Sequence, residues 1–386
     1  MRILHTADWH LGKTLMGRDR TPEVAEALEA MLQLVQSEKI ELVVVAGDLF
    51  DRVQVAPEAE GVAVRFFRRL AELKVPSVVV AGNHDSHDRL DKVFSPSWDF
   101  MGSRVRGGFQ VGGEGGVIDL AGIKAALFPF ISERRLNMAV KPFEATQADT
   151  KHNYAEKMGM LMGNLASYFG QGPNLLVAHW TLEGAKLGGG EFELLTTNSF
   201  AVGKHLLPRN ANYVALGHIH RQQQLSEAPV AWYSGSPIQL DFGENEDAPR
   251  GALIVELERG LPARVFPVTD KWGRRLRTFR FTADQFDHRF HEVERWDGYS
   301  KVVLEGKPDS VLRDRTYRQV ADCLRVEFIN PHNVGDIDRP VVLPASWLEA
   351  YRDYLGEKAN PGLLAKFTEL LAEVRTGNLS EETPQS

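Results

Sequence analysis

Five short apolar runs each end in residues able to bind a metal ion. Arg2–Ala7, Glu41–Ala46, Pro76–Ala81, Asn174–Ala178 and Asn212–Leu216 lead into Asp8-Trp9-His10, Gly47-Asp48, Gly82-Asn83-His84-Asp85, His179 and Gly217-His218-Ile219-His220. Asp8, His10 and His220 supply donors for one divalent cation; Asn83, His179 and His218 supply them for a second. Asp48 is the natural bridging carboxylate. Two cations held roughly 3.5–4 Å apart form hydroxide near neutral pH, bind phosphate oxygens and offset the charge of an in-line transition state. Oxygen and nitrogen donors without thiolate suit Mn²⁺ best, with Mg²⁺, Fe or Zn²⁺ also compatible.

Neighbouring residues complete the chemistry. His84, beside Asn83, is expected to face the phosphate and to stabilise the transition state or protonate the leaving oxygen. Asp51, three residues after Asp48, is expected to accept a hydrogen bond from His84 and keep it protonated. Asp85 reads as a loop-fixing residue, and Trp9 and Trp180 as core packing.

These residues converge only if the runs are strands of a common framework. Leu42-Val43-Val44-Val45 and Val78-Val79-Val80 are apolar without alternation, as in strands buried on both faces. In open α/β sheets, sites form beyond the carboxyl ends of the strands. Asp8 and His10, two apart, project the same way if the first strand continues through them. The glycines before Asp48, Asn83 and His218 are expected to allow sharp turns. Pro22–Ser37 and Pro57–Leu73 carry helical spacing after a proline start and read as crossover helices. Thr150–Tyr168 also reads as helical, Gly107–Gly116 as a hairpin or exposed loops, and Gly184–Gly190 as a flexible loop. Ala231–Ser234, Ala252–Leu257 and Ala263–Val268 read as further strands. The sum is an α/β fold: a two-sheet sandwich flanked by helices, with the site at one edge.

The pattern changes near Lys271-Trp272-Gly273. Strands are expected at Leu276–Phe281, Lys301–Glu305 and Leu324–Ile329, with a helix at Pro308–Thr316. Ala345–Leu355 and Pro361–Arg375 read as two helices, the second with an apolar stripe from Leu363 to Val374. The stretch from about Thr376 is polar and expected to be disordered. The predicted organisation is 1–270, a small α+β domain at 271–340, a helical segment at 341–375 and a tail at 376–386.

Composition sets bounds. The 386 residues are 43% hydrophobic and 25% charged, ordinary for a globular protein. Net charge is 45 − 52 = −7, so any grip on nucleic acid rests on local basic clusters or a partner. The single cysteine, Cys323, excludes an intrachain disulfide and a thiolate zinc site. No apolar stretch is long enough to span a membrane. Met1-Arg2-Ile3 passes straight into a ligand-bearing strand that leader cleavage would remove, so a cytoplasmic location is expected.

The motif order resembles the calcineurin-like metallophosphoesterases. Within them, Met1–Gly12, Ala46-Gly47-Asp48-Leu49-Phe50-Asp51, Gly82-Asn83-His84-Asp85-Ser86, Gly217-His218-Ile219-His220 and Ser234-Gly235-Ser236-Pro237 are similar to the SbcD family of bacterial exonuclease subunits. The resemblance is strong over 1–270. Beyond that it extends in outline to the family's capping domain and its helical partner-binding segment. It implies a Mn²⁺-dependent DNase, exonucleolytic (3′-to-5′) on duplex ends and endonucleolytic on single strands and hairpins. It also implies a homodimer bound to an SbcC-like coiled-coil ATPase and associated with the nucleoid. Asp51 in place of a tyrosine argues against purple acid phosphatases; Val53 and Asp85 argue against protein Ser/Thr phosphatases. The rival readings are a small-molecule or protein phosphoesterase and a mainly structural subunit that tethers DNA ends.

Lys13, Arg18, Arg20, Arg52, Arg89 and Lys186 lie near the ligand motifs and are candidate phosphate contacts. Val62, Phe66 and Phe67, with Leu90, Val93, Phe94 and Trp98, are candidates for a dimer surface.

Overall fold

The structure is a computed structural model, and it describes residues 1–144, 154–189, 201–269 and 272–329. The predicted helices at Ala345–Leu355 and Pro361–Arg375, and the tail after them, lie outside the described residues. Chain contacts group Met1–Leu304 with Pro308–Phe328. Glu305–Lys307 and Ile329–Ser386 form a second unit, in which the Gly306 amide donates to the Ile329 carbonyl.

In chain order the first unit runs β1 (Arg2–Thr6), α1 (Thr21–Ser37), β2 (Leu42–Val45), α2 (Pro57–Glu72), β3 (Ser77–Val80), β4 (Ser103–Arg106), β5 (Val117–Leu120) and β6 (Ile123–Phe128). It continues through α3 (Glu133–Glu144), α4 (Tyr154–Ala166), β7 (Asn174–His179), β8 (Tyr213–Gly217), β9 (Gln223–Glu227), β10 (Val230–Tyr233), β11 (Ala252–Glu256) and β12 (Arg264–Val268). One sheet has the order β12-β11-β1-β2-β3-β4, and the other β9-β10-β8-β7-β6-β5. Within each sheet the strands that lead to ligands are parallel to one another: β1, β2 and β3 in the first, β7 and β8 in the second. Their carboxyl ends therefore lie together.

The lack of alternation has a direct cause. Ile3, Leu42, Val44, Val78 and Val80 pack in one buried cluster with Leu127, Leu175, Val177, Tyr213 and Ala215 of the facing sheet. Leu4, Val43, Val45 and Val79 join the helix residues Leu28, Met31, Val62, Phe66 and Phe67 in another. Alternate residues of one strand thus feed two cores. Both helices begin with proline in the first turn.

Trp98, Leu90 and Phe94 also belong to that helix-side core. The proposed dimer surface is corrected accordingly: Val62, Phe66, Phe67, Leu90, Phe94 and Trp98 are buried, and only Val93 is exposed. Their size and aromatic character serve packing on β1–β4.

Beyond residue 271, a three-stranded sheet is formed by β13 (Leu276–Thr282), β14 (Tyr299–Glu305) and β15 (Cys323–Ile329), with helices α5 (Ala283–Glu294) and α6 (Ser310–Gln319). Phe279, Phe281, Phe286, Phe290 and Val302 form its core. Leu276 and Tyr299 pack with Leu15 and Phe242, and the Gln239 side chain bonds both the amide and the carbonyl of Leu276. Among the described residues no helix is long and apolar enough to cross a membrane.

Candidate metal centre

The strand ends deliver their side chains through turns. β1 stops at Thr6, and Asp8, His10, Asp48 and His218 all have positive φ, at 54°, 47°, 51° and 99°. The expectation that Asp8 and His10 share a face by strand alternation is thereby corrected. Left-handed backbone at four non-glycine residues is strain of the kind concentrated at functional sites. Hydrogen bonds between the loops offset it: Asp8 N–H donates to the Gly47 carbonyl, and His10 N–H to the Asp48 carbonyl.

The glycines also play different parts from those expected. Gly47 does turn with φ 97°. Gly82 and Gly217 instead permit close approach: a Cβ on Gly82 would lie 2.0 Å from Asp48 Oδ1, and one on Gly217 1.9 Å from the Ala46 carbonyl oxygen.

Asp8, His10 and His220 place donor atoms within 4.8 Å of one another, as do Asp8, Asp48 and His179, and His10, Asp48 and His84. Asp48 Oδ2 lies 3.3 Å from His179 Nε2 and 3.7 Å from His10 Nε2, between the two groups. Asn83 Oδ1 is 3.1 Å from His179 Nε2 and 2.9 Å from His218 Nδ1. Each sequence-predicted ligand thus lies in one cluster, at the edge where the two sheets meet.

Other contacts orient the rings. His179 Nδ1 is 2.7 Å from the Ala46 carbonyl oxygen. His220 Nδ1 is 3.0 Å from Glu244 Oε1, and His10 Nδ1 is 3.4 Å from Asp51 Oδ1. Asp85 accepts hydrogen bonds from the amides of Leu49, Phe50 and Gly82, tying the Asp48 loop to the Asn83 loop. Trp9 and Trp180 are buried.

Burial dominates the electrostatics. It pushes Asp8 up to about 6, His10 down to about 4 and, with the charge of His179, His218 down to about 3. Burial also opposes charge on His179, but the adjacent Asp48 carboxylate overcomes it and holds the imidazole at about 9. Burial opposes charge on Asp48 too, but the charge and hydrogen bond of His179, with His10 and His84, together outweigh it and hold the carboxyl well below the usual carboxylate range. His10 Nε2 is buried without a hydrogen-bond partner, 3.7 Å from Asp48 Oδ2. An orphaned imidazole nitrogen beside the Asp8 and Asp48 carboxylates is what a divalent cation would satisfy, so the donor set fits cations well.

Two expectations fail here. The Asp51 carboxylate does not reach His84. His84 Nδ1 meets the Asp51 backbone carbonyl at 2.7 Å, while the carboxylate turns to His10 and to Lys13 Nζ at 3.4 Å. Arg20 is fully buried, paired with Glu23 and bonded to the Gln239 carbonyl, so it is no phosphate contact. Among the other candidates, Arg18 and Lys186 are exposed, Arg52 and Lys13 pair with Asp51, and Arg89 pairs with Glu60. Glu244 escaped sequence reasoning. It sits 24 residues beyond His220 in an irregular segment, and no periodicity marks it.

Residues 1–222 match the family model described as calcineurin-like phosphoesterase. The chain belongs to the calcineurin-like phosphoesterase family. It is 36% identical over 343 residues to the SbcD subunit of the SbcCD nuclease from Bacillus subtilis (strain 168), covering 86% of this chain and 82% of that protein. It is 30% identical over 260 residues to the SbcD subunit of the same nuclease from Staphylococcus epidermidis, covering 67% and 66%. Among solved structures it is similar to a dimetal phosphatase from Danio rerio, with TM-score 0.37, 12% identity and coverage of 67% of this chain and 92% of that one. That likeness is too loose to bear on function. As a calcineurin-like phosphoesterase related to SbcD subunits, the protein is a metal-dependent phosphoesterase.

Proposed function

We propose that this chain is the nuclease subunit of an SbcCD-type complex, hydrolysing DNA phosphodiesters with two divalent cations, Mn²⁺ preferred. The observation that carries it is the convergence of Asp8, His10, Asp48, Asn83, His179, His218 and His220 on one edge, in a chain 36% identical to a subunit of the SbcCD nuclease. Asp8, His10, Asp48 and His220 would hold one cation; Asp48, Asn83, His179 and His218 would hold the other. The bound pair would supply Lewis acidity and a hydroxide near neutral pH.

His84 supplies the protein's own chemistry. The Asp51 carbonyl can only accept, so His84 Nδ1 carries the hydrogen and Nε2 is left for the substrate. When protonated, Nε2–H donates to a phosphate oxygen or to the leaving oxygen. The His84 amide also donates to Asp48 Oδ1 at 2.8 Å, which ties the acid to the bridging carboxylate. The exposed cations Arg18, Arg52 and Lys186, with Lys13, would position the DNA backbone without reading sequence. The remaining parts of the reading are what the resemblance to the SbcD family implies. They are 3′-to-5′ resection of duplex ends, nicking of single strands and hairpins, a homodimer, and docking of residues 341–375 on an SbcC-like ATPase.

The test is cleavage of end-labelled DNA with Mn²⁺ by the chain and by His84→Ala, each with and without SbcC and ATP. Metal-dependent cleavage lost in the variant supports the reading. Intact DNA in all conditions, with hydrolysis of bis-p-nitrophenyl phosphate, would leave a phosphoesterase of another substrate class.

A further inference from the structure

We infer that the cavity beside Asn83 and His218 receives the nucleobase of the nucleotide whose phosphate the cations bind, with Phe130 as the platform on which that base stacks. This rests on the two-cation phosphoesterase reading above, and it names the group that the site recognises next to the phosphate.

The topology builds the cavity against the metal centre. Strands β6, β7 and β8 are parallel neighbours, so the residues that follow them emerge side by side. Phe130 comes two residues after β6, Trp180 directly after β7 and His218 directly after β8. The Phe130 amide donates to the Ala81 carbonyl at 2.9 Å, which fixes the end of β6 against the loop that carries Asn83. The Phe130 ring lies 6.5 Å from the His218 ring and 27° from parallel to it.

A cavity of about 370 Å³ opens at this place, in the size range of small-ligand sites. Asn83 and His218 line it, with Phe130, Ile131, Trp180 and Glu133 among its other walls. Two residues of the cavity wall thus belong to the proposed cation site. A phosphate held there has the cavity beside it for one of its substituents.

The walls select that substituent. Among the described residues no lysine or arginine lines the cavity, and Glu133 does, so a second phosphate is repelled and a neutral group is favoured. Phe130 is only half-buried and offers a ring face, and every base has a face to stack on it. Ile131 and Trp180 add apolar contact. Trp180 Nε1 is buried with no hydrogen-bond partner among the described residues. A base carbonyl that accepted from it would recover what an unpaired buried donor costs. A stacking platform with so few polar groups reads the presence of a base rather than its identity. The cavity thereby separates nucleotide esters from phosphoesters that carry no base.

The test measures binding to the Mn²⁺-loaded full chain by calorimetry, with thymidine 5′-monophosphate and with 2-deoxyribose 5-phosphate, which lacks the base. The parent chain is expected to bind the nucleotide about 10-fold more tightly than the sugar phosphate. Phe130→Ala closes that gap, and Phe130→Tyr, which keeps the ring, retains it. Phe130→Leu fills the same space without a ring face and decides the matter if the alanine variant fails to fold. Equal affinities in the parent chain, or a leucine variant that keeps the gap or weakens both ligands alike, would overturn the inference. Cleavage of DNA by a chain with equal affinities sinks this inference alone. A preference for the nucleotide in a chain that leaves DNA intact sinks the DNA reading and leaves the base site standing.

Discussion

The ring of His84 is held by the backbone of Asp51, not by its side chain: Nδ1 lies 2.7 Å from the carbonyl oxygen. Removing the carboxylate therefore leaves this contact in place. Asp51→Asn should keep the shape of the pH–rate profile at saturating Mn²⁺. His84→Ala should lower kcat by about 10²–10⁴-fold while Mn²⁺ binding persists. Steady-state cleavage at several pH values, beside Mn²⁺ titration, checks both. A profile reshaped by Asp51→Asn would return the carboxylate to the role first expected of it.

Gly82 has no room for a methyl group, since Asp48 Oδ1 and the Asp48 amide nitrogen would lie 2.0 and 2.4 Å from its Cβ. Asp48 cannot yield, because Oδ1 accepts the His84 amide. Gly82→Ala should destabilise the chain by about 1–3 kcal/mol and abolish Mn²⁺-dependent cleavage. Gly163 in α4 has open space around its Cβ position, and Gly163→Ala should stabilise by about 0.5–1 kcal/mol. Thermal melting of the pair makes the comparison.

Arg20 and Arg18 separate structure from DNA contact. Arg20 is buried and paired with Glu23, so Arg20→Ala should cost about 3–5 kcal/mol, read by urea denaturation. Arg18 is exposed, its guanidinium 5.6 Å from the Tyr299 ring centroid. Arg18→Glu should leave folding intact and flatten the dependence of DNA affinity on salt. An unchanged salt slope would remove Arg18 from the DNA path.

His5 links stability to acid. It lies between the sheets with Nδ1 2.8 Å from the Tyr213 hydroxyl, and burial pushes its pKa from 6.5 down to about 3. Between these values the unfolded chain binds a proton that the native chain does not. The contribution is complete above pH 6.5 and falls as pH drops, by about 1.4 kcal/mol per unit. Denaturation in EDTA at pH 6.5, 5.5 and 4.5 should show a shallower acid slope for His5→Asn than for the parent chain. Equal slopes would mean that His5 titrates normally.

The sequence by itself determined the framework and the ligand list. Strands such as Leu42–Val45 are apolar on both faces because each face meets its own core, and that burial is written locally in β-branched residues. Ligands follow the carboxyl ends of parallel strands, so their convergence was legible from order alone. Tertiary structure decided which atom faces which. Asp8 and His10 share a site through left-handed turns that no alternation encodes. Asp51 divides its carbonyl and its carboxylate between two histidines. Arg20 and Phe67 are buried by elements distant in sequence. Glu244 reaches His220 from an irregular segment that carries no periodic signal. Residue type and period are properties of a short stretch, whereas the direction of a side chain depends on every element packed against it.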